Sequence, residues 1–217
     1  MHTDFYWYKG LPHLQPLGGT FFVTTRLRGS LEQAEKERMA GKYAGQKQQI
    51  LNRPGHSREE LDRLERMYFG EYDNVMDRAD YGPRWLATDS IAELVAQSVH
   101  YWDDKAYNLI AYTLMPNHIH VAFSLFDPES GRPALPLVKI LQSIKSFSAR
   151  QCNQLLERQG PFWDDKNYDR LVRDRDELNR IVQYILQNPV KAGFCQHWQD
   201  WKWTYVKPEY TQHNDVS

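Results

Sequence analysis

The chain has 217 residues, 41% hydrophobic and 25% charged, with a formal net charge of −1. That length suits one ordinary domain with room for an insertion, and the apolar content excludes wholesale disorder. No run approaches the ~18 apolar residues of a membrane span, and the N-terminus MHTDFYWYKG lacks the apolar stretch of a signal peptide. A soluble, cytoplasmic protein with no membrane partner is expected. Two cysteines, Cys152 and Cys195, cannot build a disulfide framework or a cysteine-rich zinc site. The near-neutral charge argues against a broadly basic nucleic-acid binder. Locally, however, Arg132, Lys139, Lys145, Arg150 and Arg158 face only Glu157 as a counter-charge, a stripe sufficient to track phosphates.

Residues 1–17 read as an irregular arm ending at Gly18-Gly19. The run Thr20-Phe-Phe-Val-Thr-Thr-Arg-Leu27 is aromatic and β-branched, hence a strand, with Phe21, Val23 and Leu27 on one side and Phe22, Thr24 and Arg26 on the other. The polar stretch 31–85 reads as an insertion or helical arm. It has helices over 31–51 and 57–67, a break at Asn52-Arg53-Pro54-Gly55, and a capping box of Ser57 with Glu60. A helix follows over 89–102, with Ile91, Leu94, Val95, Ser98 and Trp102 at helical spacing. Residues 107–115 and 118–125 are strands joined by the turn Pro116-Asn117, a hairpin. Residues 137–156 form an amphipathic helix with Leu137, Ile140, Leu141, Ile144, Phe147, Gln151 and Leu155 on one side. A strand over 168–173 leads to a helix over 174–188, opened by Asp174 with Glu177 and stopped before Pro189.

This order predicts an α+β fold: a ferredoxin-like split β-α-β sandwich. Its antiparallel four-stranded sheet carries helices on one face, the other face is free for a site, and a further helix bearing Tyr184 follows. One domain spans 1–217, with the insertion at 31–85 and a cap at 195–217 containing Trp198, Trp201, Trp203 and Tyr205.

Two places carry chemistry. In Pro116-Asn117-His118-Ile119-His120-Val121, strand alternation puts His118, His120, Ala122 and Ser124 on one face and Ile119, Val121, Phe123 and Leu125 on the other. Two imidazoles side by side on a polar face suit one divalent metal. On the last helix Leu178, Ile181, Val182 and Ile185 form the apolar stripe, and Tyr184 lies well off it. Asn188, four residues on, shares the face of Tyr184. A metal that stabilises charge on a phosphodiester, and a tyrosine that attacks its phosphorus, make one coherent mechanism.

The segment Pro116-Asn117-His118-Ile119-His120 resembles the HUH motif (His, hydrophobic, His) of single-tyrosine transposases. Tyr184-Ile-Leu-Gln-Asn188-Pro-Val-Lys-Ala-Gly193 resembles the tyrosine helix of their REP-associated branch, as do Leu11-Pro12-His13, the Phe-Phe-Val-Thr-Thr-Arg-Leu strand and Gly160-Pro-Phe-Trp163 with Tyr168-Asp169-Arg170. The resemblance implies a metal-dependent enzyme that cleaves and rejoins single-stranded DNA at hairpins through a 5′-phosphotyrosine. Tyr184 would be the nucleophile, His118 and His120 metal ligands, Asn188 the third ligand, and Mg²⁺ or Mn²⁺ the ion. Arg26, Lys139, Lys145, Arg150 and Arg170 are the candidates for contacting DNA. Both a monomer and a homodimer occur among such proteins.

Three other readings compete. A rolling-circle replication initiator would share the chemistry, but the chain has one candidate tyrosine and no helicase motif. A catalytically silent ferredoxin-like nucleic-acid-binding module needs neither the paired histidines nor Tyr184 off its stripe. A metal-dependent phosphodiesterase using water would not need Tyr184.

Overall fold

The expected hairpin carrying the two histidines is present, and one of its strands runs through the middle of the sheet. The structure, a computed structural model, describes the backbone of Phe5–Tyr8 and Leu11–Leu14 and all of residues 16–211. The first two segments are antiparallel strands β1 (Phe5–Tyr8) and β2 (Leu11–Leu14), where an irregular arm was expected. The side chains of Leu11-Pro12-His13 lie outside the described residues.

The remaining elements are β3 (Thr20–Arg26), α1 (Gln33–Leu51), α2 (Arg58–Arg78), α3 (Asp89–His100), β4 (Tyr107–Met115), β5 (His118–Leu125), α4 (Leu137–Leu155), β6 (Tyr168–Leu171), α5 (Arg175–Lys191) and β7 (Thr204–Val206). The main sheet is antiparallel with order β6-β3-β5-β4-β7. Without β7, the strand–helix–strand–strand–helix–strand order and this pairing are those of the ferredoxin-like split β-α-β fold. β7 makes five strands rather than four. The Trp-rich segment expected as a cap also supplies β7, which pairs along β4 with Tyr112 opposite Tyr205 and Thr113 opposite Thr204.

Alternation divides the strands between two cores. Phe21, Val23, Leu109, Leu114, Ile119, Val121 and Phe123 face α3 and α4, meeting Ile91, Val95, Val99, Leu137, Ile140 and Ile144. Phe22, Ile110, Ala111 and Ala122 face the other way and meet Ile181, Val182, Ile185 and Leu186 of α5. A register shift between Leu109 and Ala111 leaves Ile110 as an extra residue, so two consecutive side chains of β4 reach the second core. The second face is therefore not free, as the sequence reading expected: α5 and α2 cover it. Among the described residues no helix is long and apolar enough to cross a membrane.

Several element boundaries differ from expectation for identifiable reasons. The Ser57–Glu60 capping box is present, but α2 runs on to Arg78 rather than ending near Met67. Its second half contains Gly70 and polar residues, and tertiary packing of Phe69 and Met76 overrides that weak local propensity. On α4, Ser148 and Cys152 are buried while Phe147 and Leu155 are exposed, so the stripe is rotated from the expected one. α3 ends at His100, before Trp102. Asp174 caps α5 by accepting from the Glu177 N–H at 2.7 Å, but the Glu177 carboxylate takes the Arg173 N–H, so only half of the box forms. α5 passes through Pro189 to Lys191. The proline lacks one N–H, yet the Gly193 and Phe194 amides bond back to Val190 and Pro189, with Gly193 at φ +76° closing the helix.

Candidate active site

His118 and His120 emerge from β5 on the α5 face, as alternation requires, and both are completely buried. Each ring is held by its Nδ1. Asn117, at the hairpin turn, donates from Nδ2 to the Met76 carbonyl of α2 at 3.0 Å, which turns its Oδ1 toward His118 Nδ1 at 2.6 Å. A carbonyl oxygen only accepts, so His118 carries its proton on Nδ1 and leaves a lone pair on Nε2. His120 Nδ1 is 2.7 Å from Thr24 Oγ1 on the neighbouring strand, in register with it. The two Nε2 atoms thereby face each other at 3.0 Å. Such outer hydrogen bonds fix ring orientation at metal sites.

Two carboxylates close the cluster. Asp73 and Asp77, one turn apart on α2, approach the imidazoles: Asp73 Oδ1 is 3.2 Å from His120 Nε2 and Asp77 Oδ1 is 3.5 Å from His118 Nε2. These are close approaches rather than well-formed hydrogen bonds, since both Oδ1 atoms lack a partner of good geometry. Asn188 of α5 donates from Nδ2 to Asp73 Oδ2 at 3.3 Å and Asp77 Oδ2 at 3.4 Å, while its own Oδ1 is buried and unpartnered. One ligand atom from each of Asp73, Asp77, His118 and His120 lies within 4.8 Å of all the others.

Electrostatics follow from burial. Burial, reinforced by the neighbouring His120 ring, pushes His118 down to about 3, so it is neutral and a competent electron-pair donor. Burial and then the Asp73 charge push Asp77 up to about 7. Burial also opposes ionisation of Asp73, but the facing His120 outweighs it and holds that carboxyl below its ordinary value.

Tyr184 joins this cluster from α5. Its ring centroid is 5.3 Å from that of His120, with Phe22 at 5.8 Å and Phe69 at 6.0 Å. Its hydroxyl is buried and has no hydrogen-bond partner among the described residues. A buried phenol ordinarily finds one. The structure thus brings together Tyr184, His118, His120 and Asn188.

The candidate DNA contacts are dispersed. Lys139 and Arg150 are exposed on α4, across the sheet from the histidines. Lys145 donates to the Asp164 carbonyl and to Asn167 Oδ1. Arg170 is paired with Glu177. Arg26 is buried, ion-paired to Asp164 at 2.6 Å, with its guanidinium over the Tyr72 ring. As placed, it props the loop at 164 and offers no free face to a phosphate.

Sequence reasoning missed Asp73 and Asp77, and with them the roles of Thr24 and Asn117. The signal was present: Phe69, Asp73, Met76 and Asp77 share one helical face, two carboxylates framed by two apolar groups. Ending the helix at Met67 concealed it.

A ferredoxin-like sheet whose covered face carries an imidazole–carboxylate cluster of metal-ligating type, with the half-buried Tyr184 beside it, defines the class of site. Residues 81–188, about half of the chain, match the family described as IS200-like transposases, and the chain belongs to that family through this domain. A Haemophilus influenzae protein, provisionally assigned as a REP-associated tyrosine transposase, is 23% identical over 122 residues, covering 54% of this chain and 69% of that protein. The solved structure of a REP-associated tyrosine transposase bound to a REP hairpin shares the fold. Its TM-score is 0.54 at 17% identity, covering 99% of this chain and 86% of the other.

Proposed function

We propose that this transposase cleaves and rejoins single-stranded DNA at hairpin-forming repeats, with Tyr184 as nucleophile and a divalent ion, Mg²⁺ or Mn²⁺, held at His118 and His120. The observation that carries this reading is the Tyr184 hydroxyl: buried, without a partner, and on the same helix face as Asn188, whose amide reaches the ion-ready cluster. Leaving a polar atom unsatisfied costs about 1–3 kcal/mol, a cost more readily retained for chemistry than for packing. The donor set is suitable for the ion, with the neutral His118 imidazole, two buried carboxylates each with an unpartnered Oδ1, and the Asn188 Oδ1 as a further donor.

In the proposed reaction the Tyr184 oxygen attacks the scissile phosphorus in line. The bond from phosphorus to the 3′ oxygen breaks, the tyrosine is esterified to the 5′-phosphate, and the phenolic proton is released while the departing 3′ oxygen is protonated. Attack of a 3′-OH on the phosphotyrosine reverses these bond changes and rejoins the strand. The bound ion supplies charge stabilisation to the phosphate oxygens. Phe22 and Phe69 wall the tyrosine and keep its ring in place, with Tyr168 stacked on Phe69 behind them. Tyr184 packs against His120 of its own chain, so the site needs no exchange of α5 between copies; the proposed setting is the cytoplasm, where DNA is accessible.

The test is incubation with a single-stranded DNA hairpin and Mg²⁺ or Mn²⁺, followed by denaturing electrophoresis. A denaturant-resistant protein–DNA adduct is expected from the wild type and from neither Tyr184→Phe nor His118→Ala. Cleavage that survives Tyr184→Phe would assign the site to a water-using nuclease instead.

A further inference from the structure

The α1–α2 hairpin lies outside the family match, whose residues begin at 81. Yet α2 lies directly over the histidines. Asn117 is anchored to its Met76 carbonyl, Phe69 stacks on Tyr168 at 4.1 Å between centroids, and Arg173, just before α5, holds Asp62 at 2.6 Å. From this docked helix Asp73 and Asp77 enter the site with no lysine or arginine in an ion pair with either, among the described residues. Each Oδ1 is buried, lacks a hydrogen-bond partner and points at an imidazole Nε2. Four atoms of metal-ligating type, two of them carboxylate oxygens without a hydrogen-bond partner among the described residues, thus lie within 4.8 Å of one another, an arrangement that a bound cation would satisfy.

We infer that Asp73 and Asp77 are metal ligands, so that the ion is bound between the sheet and the α1–α2 hairpin by two imidazoles and two carboxylates. This rests on the reading of the cluster as the transposase's metal centre and adds to it a second, hairpin-borne half. Mixed imidazole and carboxylate donors, with no thiolate among them, suit Mn²⁺. Asn188, donating to both carboxylates, is a positioning residue for them as well as a neighbour of the ion.

Binding the ion therefore fastens the hairpin over Tyr184, and the two carboxylates offset the ion's charge until a phosphate takes part of the site. The experiment is calorimetric titration of the full chain with Mn²⁺ and no DNA. The wild type is expected to bind one ion, and Asp73→Asn and Asp77→Asn each to weaken binding at least tenfold. Glu71→Gln, whose carboxylate faces Arg38 and Lys42 instead, is expected to leave affinity unchanged. Mn²⁺ is expected to raise the melting temperature of the wild type and not that of the doubly substituted Asp73→Asn/Asp77→Asn chain. Asparagine keeps the shape and removes a buried charge, so these variants retain the fold, and their melting curves verify it. Wild-type-like Mn²⁺ affinity in both aspartate variants, with loss of binding in His118→Ala, would overturn the inference and leave the metal site standing. No Mn²⁺ binding by the wild type would overturn this inference and the metal half of the proposed function together, whereas the tyrosine adduct is scored independently.

Discussion

The two faces of β5 differ more than any other adjacent regions of the molecule. On one, Ile119, Val121, Phe123 and Leu125 pack into a continuous apolar core with α3 and α4. On the other, His118 and His120 meet Asp73, Asp77, Tyr184 and Asn188, and four polar atoms there are buried without partners. The first face follows the ordinary rule that interiors are apolar and close-packed. The second breaks the rule that buried polar groups are satisfied. One strand thus separates stability from chemistry by side-chain alternation alone, and substitutions on its two faces should fail in different ways.

The largest expected effect is on the polar face. Tyr184→Phe removes only an unpartnered hydroxyl, so adduct formation should fall at least about 10³-fold while the melting temperature holds or rises. On the apolar face, Phe123 is fully buried and stacks on Tyr107 at 4.5 Å. Phe123→Ala should cost about 3–5 kcal/mol of stability by denaturant unfolding, yet leave adduct formation per folded molecule near wild type at low temperature. A Phe123 variant that stayed folded but lost cleavage would break the division between the faces.

Asp77 gives a smaller effect with an unusual sign. In the folded chain burial and Asp73 raise it from 3.8 to about 7, so between those values the folded chain keeps a proton the unfolded chain has released. Its contribution to stability is full below pH about 4 and is lost as pH rises through 7. With metal removed by a chelator, Asp77→Asn should therefore be more stable than wild type at pH 8, on the order of 3 kcal/mol, with the gap closing toward pH 5. His118 acts oppositely below pH about 6.5, because burial keeps it neutral when folded, but it is common to both chains and drops out of the difference. A pH-independent difference would mean that Asp77 is charged throughout and already compensated.

The apolar face was the more legible in the sequence. Period-two alternation in 118–125 assigned both faces of β5 correctly, because each apolar side chain reports its own burial. The same alternation, with helical periodicity, found Tyr184 and Asn188 on one face of α5. The carboxylate half of the site was not legible. Asp73 and Asp77 lie on a helix whose local propensity is poor, and the contact that buries them spans more than forty residues of sequence to His118. Nor did periodicity show that α2 would cover the sheet, since a polar helix reads as solvated unless something is known to lie beneath it. Pro189 misled for a related reason: a proline in the last turn removes one backbone bond, and the glycine cap after it restores the helix end.

The smallest expected effect concerns the outer surfaces. Lys139 and Arg150 are exposed on α4, on the side away from Tyr184, whereas Arg26 and Arg170 are occupied by Asp164 and Glu177. If hairpin DNA wraps from the catalytic face onto α4, Lys139→Ala and Arg150→Ala should each flatten the slope of log affinity against log salt by about 1, equally for any sequence, because phosphate contacts carry charge but no base information. Cleavage of DNA already bound should be unchanged, since neither side chain approaches the histidines. An unchanged slope in the double variant would confine DNA to the α5 side. The division seen in β5 would then extend to the surface of the protein, with all contact to substrate on one side of the sheet and none on the other.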